Sequence, residues 1–180
     1  MTGGLDLADL NAAGPAAYVA TLAPLFEGAP RFLGRLEAGR PDPDWESLFS
    51  RARTLAHTMP LSEQIELIDA HPRLGASPET VSAASYHEQG YPLDSAAASS
   101  ADDDAARQRA GAELERLNVA YEARFGFRYC VYVAGRSWAA LVPEMAASLA
   151  ADPQTERTRA LDAVVDIAMA RWSALGGRDG

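Results

Sequence analysis

Cysteine is nearly absent from this sequence, since Cys130 is the single one among 180 residues. One thiol excludes an internal disulfide and a cysteine zinc cluster, and it is typical of a protein in the reducing cytoplasm. No apolar run approaches the roughly 20 residues that span a bilayer. The first residues, MTGGLDLADLN, lack the basic and apolar regions of a signal peptide. We therefore expect a cytoplasmic protein with no membrane segment.

Basic residues are also scarce. The 16 Lys and Arg stand against 25 Asp and Glu, which gives a formal net charge of −9. This charge argues against nucleic acid or an anionic membrane as a partner. It does not exclude a small anionic substrate, because one local arginine can outweigh the global field. The sequence also has no internal repeat, Gly-rich phosphate loop, HExxH or G-x-S-x-G motif.

Apolar residues make up 48% of the chain, and in its first half they recur at helical spacing between capping residues. The predicted elements are a short turn and then a helix from Pro15 within residues 5–26, a helix between Pro30 and Gly39, a helix capped by Asp44 that buries Trp45, Leu48, Ala52 and Leu55, and a helix in LSEQIELIDA that buries Leu61, Ile65 and Ile68. His57, late in the third of these helices, is expected at the surface rather than as a ligand.

The second half continues the helical pattern. The predicted elements are two short helical pieces in SPETVSAASYHEQG, a loop over residues 92–101, the longest helix from Asp102–Asp104 to Gly126, a helix in SWAALVPEMAASLA whose regular part begins near Pro143, and a last helix from Asp152-Pro153 to near Leu175. The last helix is expected to bury Leu161, Val165, Ala168, Trp172 and Leu175.

One stretch, FRYCVYVAG, has the strand-like density of aromatic and β-branched residues. No other stretch offers a partner strand, and a lone strand cannot satisfy its own backbone. We therefore predict an extended segment packed among helices, whose open backbone groups need another partner such as a ligand. The predicted fold is all-α: one domain over residues 1–180, a bundle of about eight or nine short helices with one extended segment and a loose tail from about residue 177.

The most chemically loaded stretch is HPRLGASPETVSAASYHEQG, which holds two of the three histidines, His71 and His87. Pro72 disfavours the α conformation at His71 and so places it at a helix C-terminus, where the macrodipole favours a protonated imidazole. A plain helix-ending histidine has the same pattern. Ser85-x-x-Glu88 has capping-box spacing, so Glu88 is either a helix cap or a functional carboxylate. Arg171 flanks the apolar stripe of the last helix, where it forms a structural ion pair, faces solvent or reaches inward.

Several of these stretches together resemble one family. They are AHPRLG at 70–75, S-x-x-EQ-G at 85–90, LNVAYEARFGFRYCVYVAGR at 117–136 and E-x4-AL-x5-IA-x2-R at 156–171, with LN at 10–11, LFE at 25–27 and RP at 40–41. In order and spacing they are similar to the 2-oxo-4-hydroxy-4-carboxy-5-ureidoimidazoline (OHCU) decarboxylase family, which completes the conversion of urate to (S)-allantoin. The resemblance implies an all-α homodimer that acts on OHCU without metal or organic cofactor.

The resemblance also implies roles for particular residues. By this resemblance, the family's catalytic residues correspond to His71, Glu88 and Arg171. The substrate-lining positions fall on Pro72, Ser85 and Gln89, and on the backbone of Tyr129, Cys130, Val131, Tyr132 and Val133. The sequence departs from the family pattern at Arg128-Tyr129, where members often have Pro-Phe, and at Trp172, where leucine is usual. Neither departure removes a group that the chemistry needs.

The substrate carries a hydroxyl and a carboxylate on one carbon beside a C=N bond, which accepts the electrons released with carbon dioxide. Such a reaction needs orientation and proton transfer more than a cofactor. Two other interpretations stay open. One is a non-catalytic helical module that binds another protein through its apolar faces. The other is a metal hydrolase using His71, His87 and Glu88, although their spacing matches no usual ligand pattern.

Overall fold

The computed structural model describes residues 6–77, 79, 81–89 and 101–176, without the side chains of 87, 88 and 101–103. Over these residues the structure contains nine helices and no strand: α1 (Leu7–Ala12), α2 (Pro15–Leu22), α3 (Pro30–Ala38), α4 (Trp45–Thr58), α5 (Leu61–Asp69), α6 (Ala83–Glu88), α7 (Ala101–Phe125), α8 (Trp138–Ser148) and α9 (Pro153–Ala174). The predicted all-α class is confirmed. None of the described helices is long and apolar enough to cross a bilayer. The loop predicted at 92–101 and the tail from 177 fall almost wholly outside the described residues.

The chain divides into two compact units, one formed by Met1–His71 with Thr158–Gly180 and the other by Pro72–Arg157. Helix α9 therefore begins in the second unit and continues into the first. The extent of one domain over residues 1–180 stays a prediction.

In the first unit, local signals set most helix ends. Asp44 accepts from the Ser47 amide (2.6 Å) at the start of α4, and Pro30 occupies the first turn of α3, as predicted. The sequence missed α1, which Asp6 caps by accepting from the Asp9 amide (3.0 Å). The helix has only 6 residues and buries Leu10 alone, so it is too short for an apolar period to reveal it.

The core of the first unit is rich in rings. The Trp172 ring of α9 lies 5.2 Å from the Trp45 ring and 5.7 Å from the Phe49 ring. Such tilted and edge-on arrangements are the favourable geometries of aromatic pairs. Leu175, predicted to continue the buried stripe of α9, is instead exposed at the end of the helix. Of the predicted α4 stripe, Leu55 is only half-buried.

The predicted apolar face of α5 was wrong in part, since Ile68 is buried but Ile65 is only half-buried and Leu61 faces solvent. The helix buries Gln64, Leu67 and Ile68, while Leu61 is 54% exposed. The Gln64 side-chain amide donates to the carbonyls of His57 (2.9 Å) and Met59 (3.1 Å). These two bonds satisfy a polar group at an inward position, which an apolar pattern does not anticipate.

The second unit is built on α7. Leu114, Leu117 and Tyr121 are fully buried along it, whereas Phe125, at the next position of the same apolar stripe, is half-buried, and Gly126 ends the helix with a φ of 77°. The Tyr121 hydroxyl donates to the Glu156 carboxylate over 2.7 Å, and both side chains are buried. This bond ties the middle of α7 to the first turn of α9.

The predicted extended segment follows α7. Residues 127–133 form neither helix nor strand, and Phe127, Tyr129, Cys130 and Val133 are buried. The Tyr129 ring meets the Tyr121 ring edge-on at 5.1 Å. Aromatic packing rather than strand pairing therefore accounts for the strand-like composition.

Helix α8 begins earlier than the sequence predicted. It starts at Trp138 and contains Pro143, because Ser137 caps it by accepting from the Ala140 amide (3.3 Å). The Arg107 guanidinium lies 4.3 Å from the centre of the Trp138 ring, and the indole N–H donates to the Gln89 carbonyl (3.0 Å). Trp138 thus connects α8 to α7 and to the end of α6.

Candidate active site

His71 lies two residues beyond the end of α5 and is buried, with 4% of its surface exposed. Its backbone amide donates to the Ile68 carbonyl (3.1 Å), and its ring Nδ1 lies 3.4 Å from the Leu67 carbonyl oxygen. Because a carbonyl oxygen only accepts, this contact favours hydrogen on Nδ1. The other nitrogen, Nε2, then has the lone pair with which the ring accepts a proton.

Burial lowers the pKa of His71 to about 4, the positive charge of Arg171 lowers it too, and the negative charge of Glu27 opposes both. The imidazole is therefore neutral at pH 7. The sequence predicts that the α5 macrodipole favours a protonated imidazole, but desolvation has the larger effect at a site this deeply buried.

Arg171, on α9, is also buried, and its guanidinium is held by one turn of the chain. Its Nη2 donates to Glu27 Oε1 (2.7 Å), and its Nη1 donates to the carbonyls of Pro24 (2.8 Å) and Leu25 (3.5 Å). The Arg171 and Glu27 side chains are only 5% and 12% exposed. The structural ion pair that the sequence left open for Arg171 is therefore present, and its charges act on His71.

Glu27 was not singled out from the sequence as a site residue. It lies in the turn between α2 and α3 with a φ of 51°, and Gly28 follows with a φ of 75°. Glu27 belongs to the LFE stretch at 25–27 that resembles the family, but no local pattern relates this glutamate to an arginine 144 residues away. Only the folded chain brings them together.

Gln89 uses its side-chain amide to hold the turn after His71–Pro72. Its Oε1 accepts from the Gly75 amide (2.8 Å), and its Nε2 donates to the Arg73 carbonyl (3.2 Å). Gln89 is 7% exposed. This predicted substrate-lining residue therefore has a structural task in the second unit, while Pro72 is half-buried beside the same turn.

The capping-box interpretation of Glu88 was wrong. Ser82, not Ser85, caps α6, since its Oγ accepts from the Ser85 amide (3.1 Å). Ser85 is buried inside the helix, and Glu88 is the last residue of α6, where a box carboxylate cannot reach the first turn. The side chains of Glu88 and His87 lie outside the described part of the structure.

The backbone of residues 129–133 was expected to need an outside partner. Two of its carbonyls meet Arg136, whose Nη2 donates to Tyr132 (2.6 Å) and whose Nε donates to Val133 (3.0 Å). The same guanidinium pairs with Glu144 (2.7 Å). Within the described residues, the amide and carbonyl of Val131 have no hydrogen-bonding partner. Val131 is thus the residue of this segment that best fits the predicted main-chain contact.

The structure therefore brings His71 and Arg171 into one electrostatic cluster in the first unit. Gln89 and the turn at 73–75 come together in the second. Among the side chains that are described, no group of three or more His, Cys, Asp or Glu is placed to hold a metal ion. A buried neutral imidazole beside a buried arginine–glutamate pair has the groups of an enzyme that moves protons on an anionic substrate.

The OHCU decarboxylase family model matches residues 11–173, so the chain belongs to this family. Membership makes it a carboxy-lyase, a decarboxylase of urate degradation. The chain is 26% identical over 167 residues to 2-oxo-4-hydroxy-4-carboxy-5-ureidoimidazoline decarboxylase of Haloferax volcanii, an alignment that covers 93% of this chain and 94% of the relative. It is 27% identical to the uric acid degradation bifunctional protein of Bacillus sp. (strain TB-90), of which it spans 31%.

Two solved structures have the same fold. A crystal structure of OHCU decarboxylase in the presence of (S)-allantoin superposes with a TM-score of 0.64 and 20% identity, over 86% of this chain and 96% of the other. A crystal structure of (S)-allantoin synthase gives a TM-score of 0.64 and 18% identity, over 95% of this chain and 53% of the other.

Proposed function

We propose that the chain converts OHCU to (S)-allantoin and carbon dioxide by acid–base chemistry without metal or organic cofactor, with His71, Glu88 and Arg171 as its principal groups. The observation that carries this proposal is the buried, neutral His71 beside the Arg171–Glu27 pair. A neutral imidazole both accepts and returns a proton, which the later steps of the reaction require.

The substrate itself provides the electron sink. When the bond to the carboxylate carbon breaks, its electron pair moves into the neighbouring C=N, and the nitrogen takes up a proton from solvent. The resulting enol then loses its hydroxyl proton and gains a proton on the adjacent carbon. The face that receives this proton fixes the handedness of allantoin, so the enzyme mainly has to orient the substrate and deliver one proton.

We assign the proton on carbon to His71 and the hydroxyl proton to Glu88. In this scheme Nε2 of His71 accepts a proton from solvent and passes it to one face of the enol, and the hydroxyl proton that Glu88 takes up returns to solvent. The Nδ1 contact with the Leu67 carbonyl keeps the ring in one tautomer. The Glu88 carboxylate polarises or accepts the hydroxyl proton. Glu88 ends α6, and the first turn of that helix is capped by Ser82 instead.

Arg171 is assigned a positioning role. A guanidinium that gripped the departing carboxylate tightly would stabilise the ground state more than the transition state. Its bonds to Glu27 and Pro24 already use part of its donor capacity, which suits orientation rather than tight capture. Pro72, Ser85, Gln89 and the backbone of 129–133 are proposed to line the pocket, with the Val131 backbone as a direct contact.

We also propose that the active form is a homodimer and that it works in the cytoplasm, where its buried thiol, Cys130, stays reduced. Light scattering coupled to size-exclusion chromatography tests the dimer. A molar mass near twice the 19.1 kDa of the chain is expected, and a mass near 19.1 kDa at micromolar concentration overturns it.

The decisive experiment supplies OHCU by oxidising urate in the presence of the protein. Release of carbon dioxide should accelerate, and circular dichroism of the product should show pure (S)-allantoin, whereas the reaction without protein gives no excess of one hand. Failure to change either the rate or the handedness favours the non-catalytic module.

The metal hydrolase is separated by a second arm of the same assay. Exhaustive chelation and dialysis should leave the rate unchanged. A loss of activity that a divalent cation restores overturns the cofactor-free proposal and favours metal binding by His71, His87 and Glu88.

A further inference from the structure

The turn that connects α2 and α3 places a carboxylate on the proposed positioning arginine. Glu27 accepts from Arg171 Nη2 over 2.7 Å, while the Pro24 and Leu25 carbonyls accept from Nη1. Three acceptors within four consecutive residues fix the plane of the guanidinium as well as its position. All of these groups lie in the first unit of the chain.

The backbone at Glu27 is not one that suits a glutamate. Its φ of 51° lies in the left-handed region, which glycine and asparagine adopt more readily. Glycine or asparagine would suit this turn better if the conformation were its only requirement. The glutamate side chain, 12% exposed and bonded to Arg171, is the feature that distinguishes this turn from an ordinary one.

The charges of the pair oppose each other at His71. Arg171 disfavours a proton on the imidazole, and Glu27 favours one. A buried guanidinium without its carboxylate presents a full positive charge to any anion that binds beside it. Glu27 therefore lowers the net positive charge that Arg171 presents to its surroundings.

We propose that Glu27 is a positioning residue for the decarboxylation, which moderates Arg171 so that the guanidinium orients the substrate carboxylate without clamping it. This inference rests on the proposed function, in which Arg171 meets the substrate. Loss of carbon dioxide removes the negative charge from the carboxylate, so a stronger hold on that group stabilises the substrate and raises the barrier. Glu27 acts through Arg171 and touches no reacting atom in this scheme.

The test is Glu27→Gln, which keeps the size and an oxygen acceptor but removes the charge. We expect KM for OHCU to fall several-fold and kcat to fall by about tenfold or more, because Arg171 then binds the substrate carboxylate too tightly. A fall in both constants is a result that a merely structural role does not produce. Unchanged kinetics, or a higher KM with unchanged kcat, overturns the proposal.

The control is Asp42→Asn in the same unit. Arg51 donates to the buried Asp42 carboxylate and to the Leu36 carbonyl (2.8 Å), as Arg171 does to Glu27 and to Pro24. Asp42 is not among the charges that act on His71. The Asp42→Asn protein should lose about as much stability as the Glu27→Gln protein, but its kcat and KM should be those of the wild type.

If Glu27→Gln does not fold, Glu27→Asp replaces it. Aspartate tolerates a positive φ and keeps the charge, but its shorter side chain loses the close contact with Nη2. We expect kcat and KM of Glu27→Asp to fall as in Glu27→Gln but by smaller factors. Wild-type values of both constants overturn the proposal. Failure of the proposed function is distinguished by His71→Asn, since wild-type rate and handedness in that variant remove the site itself.

Discussion

The side-chain oxygen of Gln89 accepts from the Gly75 backbone amide over 2.8 Å, and the side-chain nitrogen of Gln89 donates to the Arg73 carbonyl. The end of α6 is thereby fastened to the turn that follows His71 and Pro72. Gly75 adopts a φ of 77°, and a Cβ there would come within 3.1 Å of a Leu114 methyl group. The turn thus depends on a glycine for its shape and on a glutamine for its bonds.

Replacing Gln89 with alanine should destabilise the protein by about 1–3 kcal/mol, because two backbone groups lose their partner. Urea denaturation followed by circular dichroism measures the loss. Gln108→Ala, on an exposed part of α7, is the control and should stay within about 0.5 kcal/mol of the wild type. A Gln89→Ala protein of normal stability but greatly reduced activity shows instead that the side chain serves the substrate.

The buried His71 should make stability depend on pH. Its pKa is about 4 in the folded protein, while in the unfolded chain it is close to 6.5. The unfolded state therefore binds more protons between these values, so stability is highest above pH 6.5 and falls as the pH drops towards 4. The loss amounts to about 3 kcal/mol at most, at 1.36 kcal/mol for each pKa unit.

The measurement is the free energy of unfolding at several pH values for the wild type and for His71→Asn, which cannot titrate. The difference between the two proteins isolates the histidine from the carboxylates that also protonate in this range. Equal pH dependence of the two proteins shows that His71 is not shielded from solvent.

Arg171→Lys should lower both activity and stability. Lysine keeps the charge but not the planar pair of nitrogens that donate to Glu27 and to the Pro24 carbonyl. We expect kcat/KM to fall by roughly 10- to 100-fold and the protein to lose about 1–3 kcal/mol of stability. Steady-state kinetics and thermal melting measure the two effects.

The control for that variant is Arg53→Lys in the same unit. Arg53 bridges Asp162 and Asp166 at a partly exposed site, where an ion pair contributes about 1 kcal/mol or less. Its kinetics should be those of the wild type. An Arg171→Lys protein with normal kcat/KM and reduced stability reduces Arg171 to a structural residue.

His71→Asn and Glu88→Gln should each reduce the rate by about 10²- to 10⁴-fold, the usual contribution of a positioned acid or base. If the two groups act as a unit, the double variant is little slower than either single one. The residual product of His71→Asn should also lose its handedness, which circular dichroism of allantoin detects.

His57→Asn is the matched control, because His57 bonds to Asp162 (2.8 Å) and has no part in the proposed reaction. Near-normal rate with pure (S)-allantoin in the His71→Asn protein removes His71 from the site.

The sequence predicted those features of the fold that depend on neighbours along the chain. Asp44, Pro30 and Gly126 act within one turn of their own helix, so their residue types alone locate its ends. Part of the buried face of α5 and the start of α8 were mispredicted because distant or competing bonds decide them. The Gln64 side chain is stable in a buried position because its amide donates to carbonyls outside α5. At α8 the Ser137 cap overrides the effect of Pro143.

The candidate site shows the same limit. His71 and Arg171 were named through the family motifs, but the partner that sets their charge balance, Glu27, is far away in the sequence. The lowered pKa of His71 was also not predicted, since burial is a property of the packed chain. A pattern of residues reveals which groups are available, whereas their pKa values follow from the environment that folding creates.

The positions of the three tryptophans have a spectroscopic consequence. Trp45 and Trp172 lie with their rings 5.2 Å apart in the first unit, whereas Trp138 lies against a guanidinium in the second. Two indoles so close couple their strong electronic transitions and give an exciton couplet in the far ultraviolet that an isolated indole lacks. Trp138→Phe should leave that signal intact, because Trp138 is not part of the pair. In the wild type, loss of the signal then reports unfolding of the first unit, and the fluorescence that Trp138→Phe removes reports unfolding of the second.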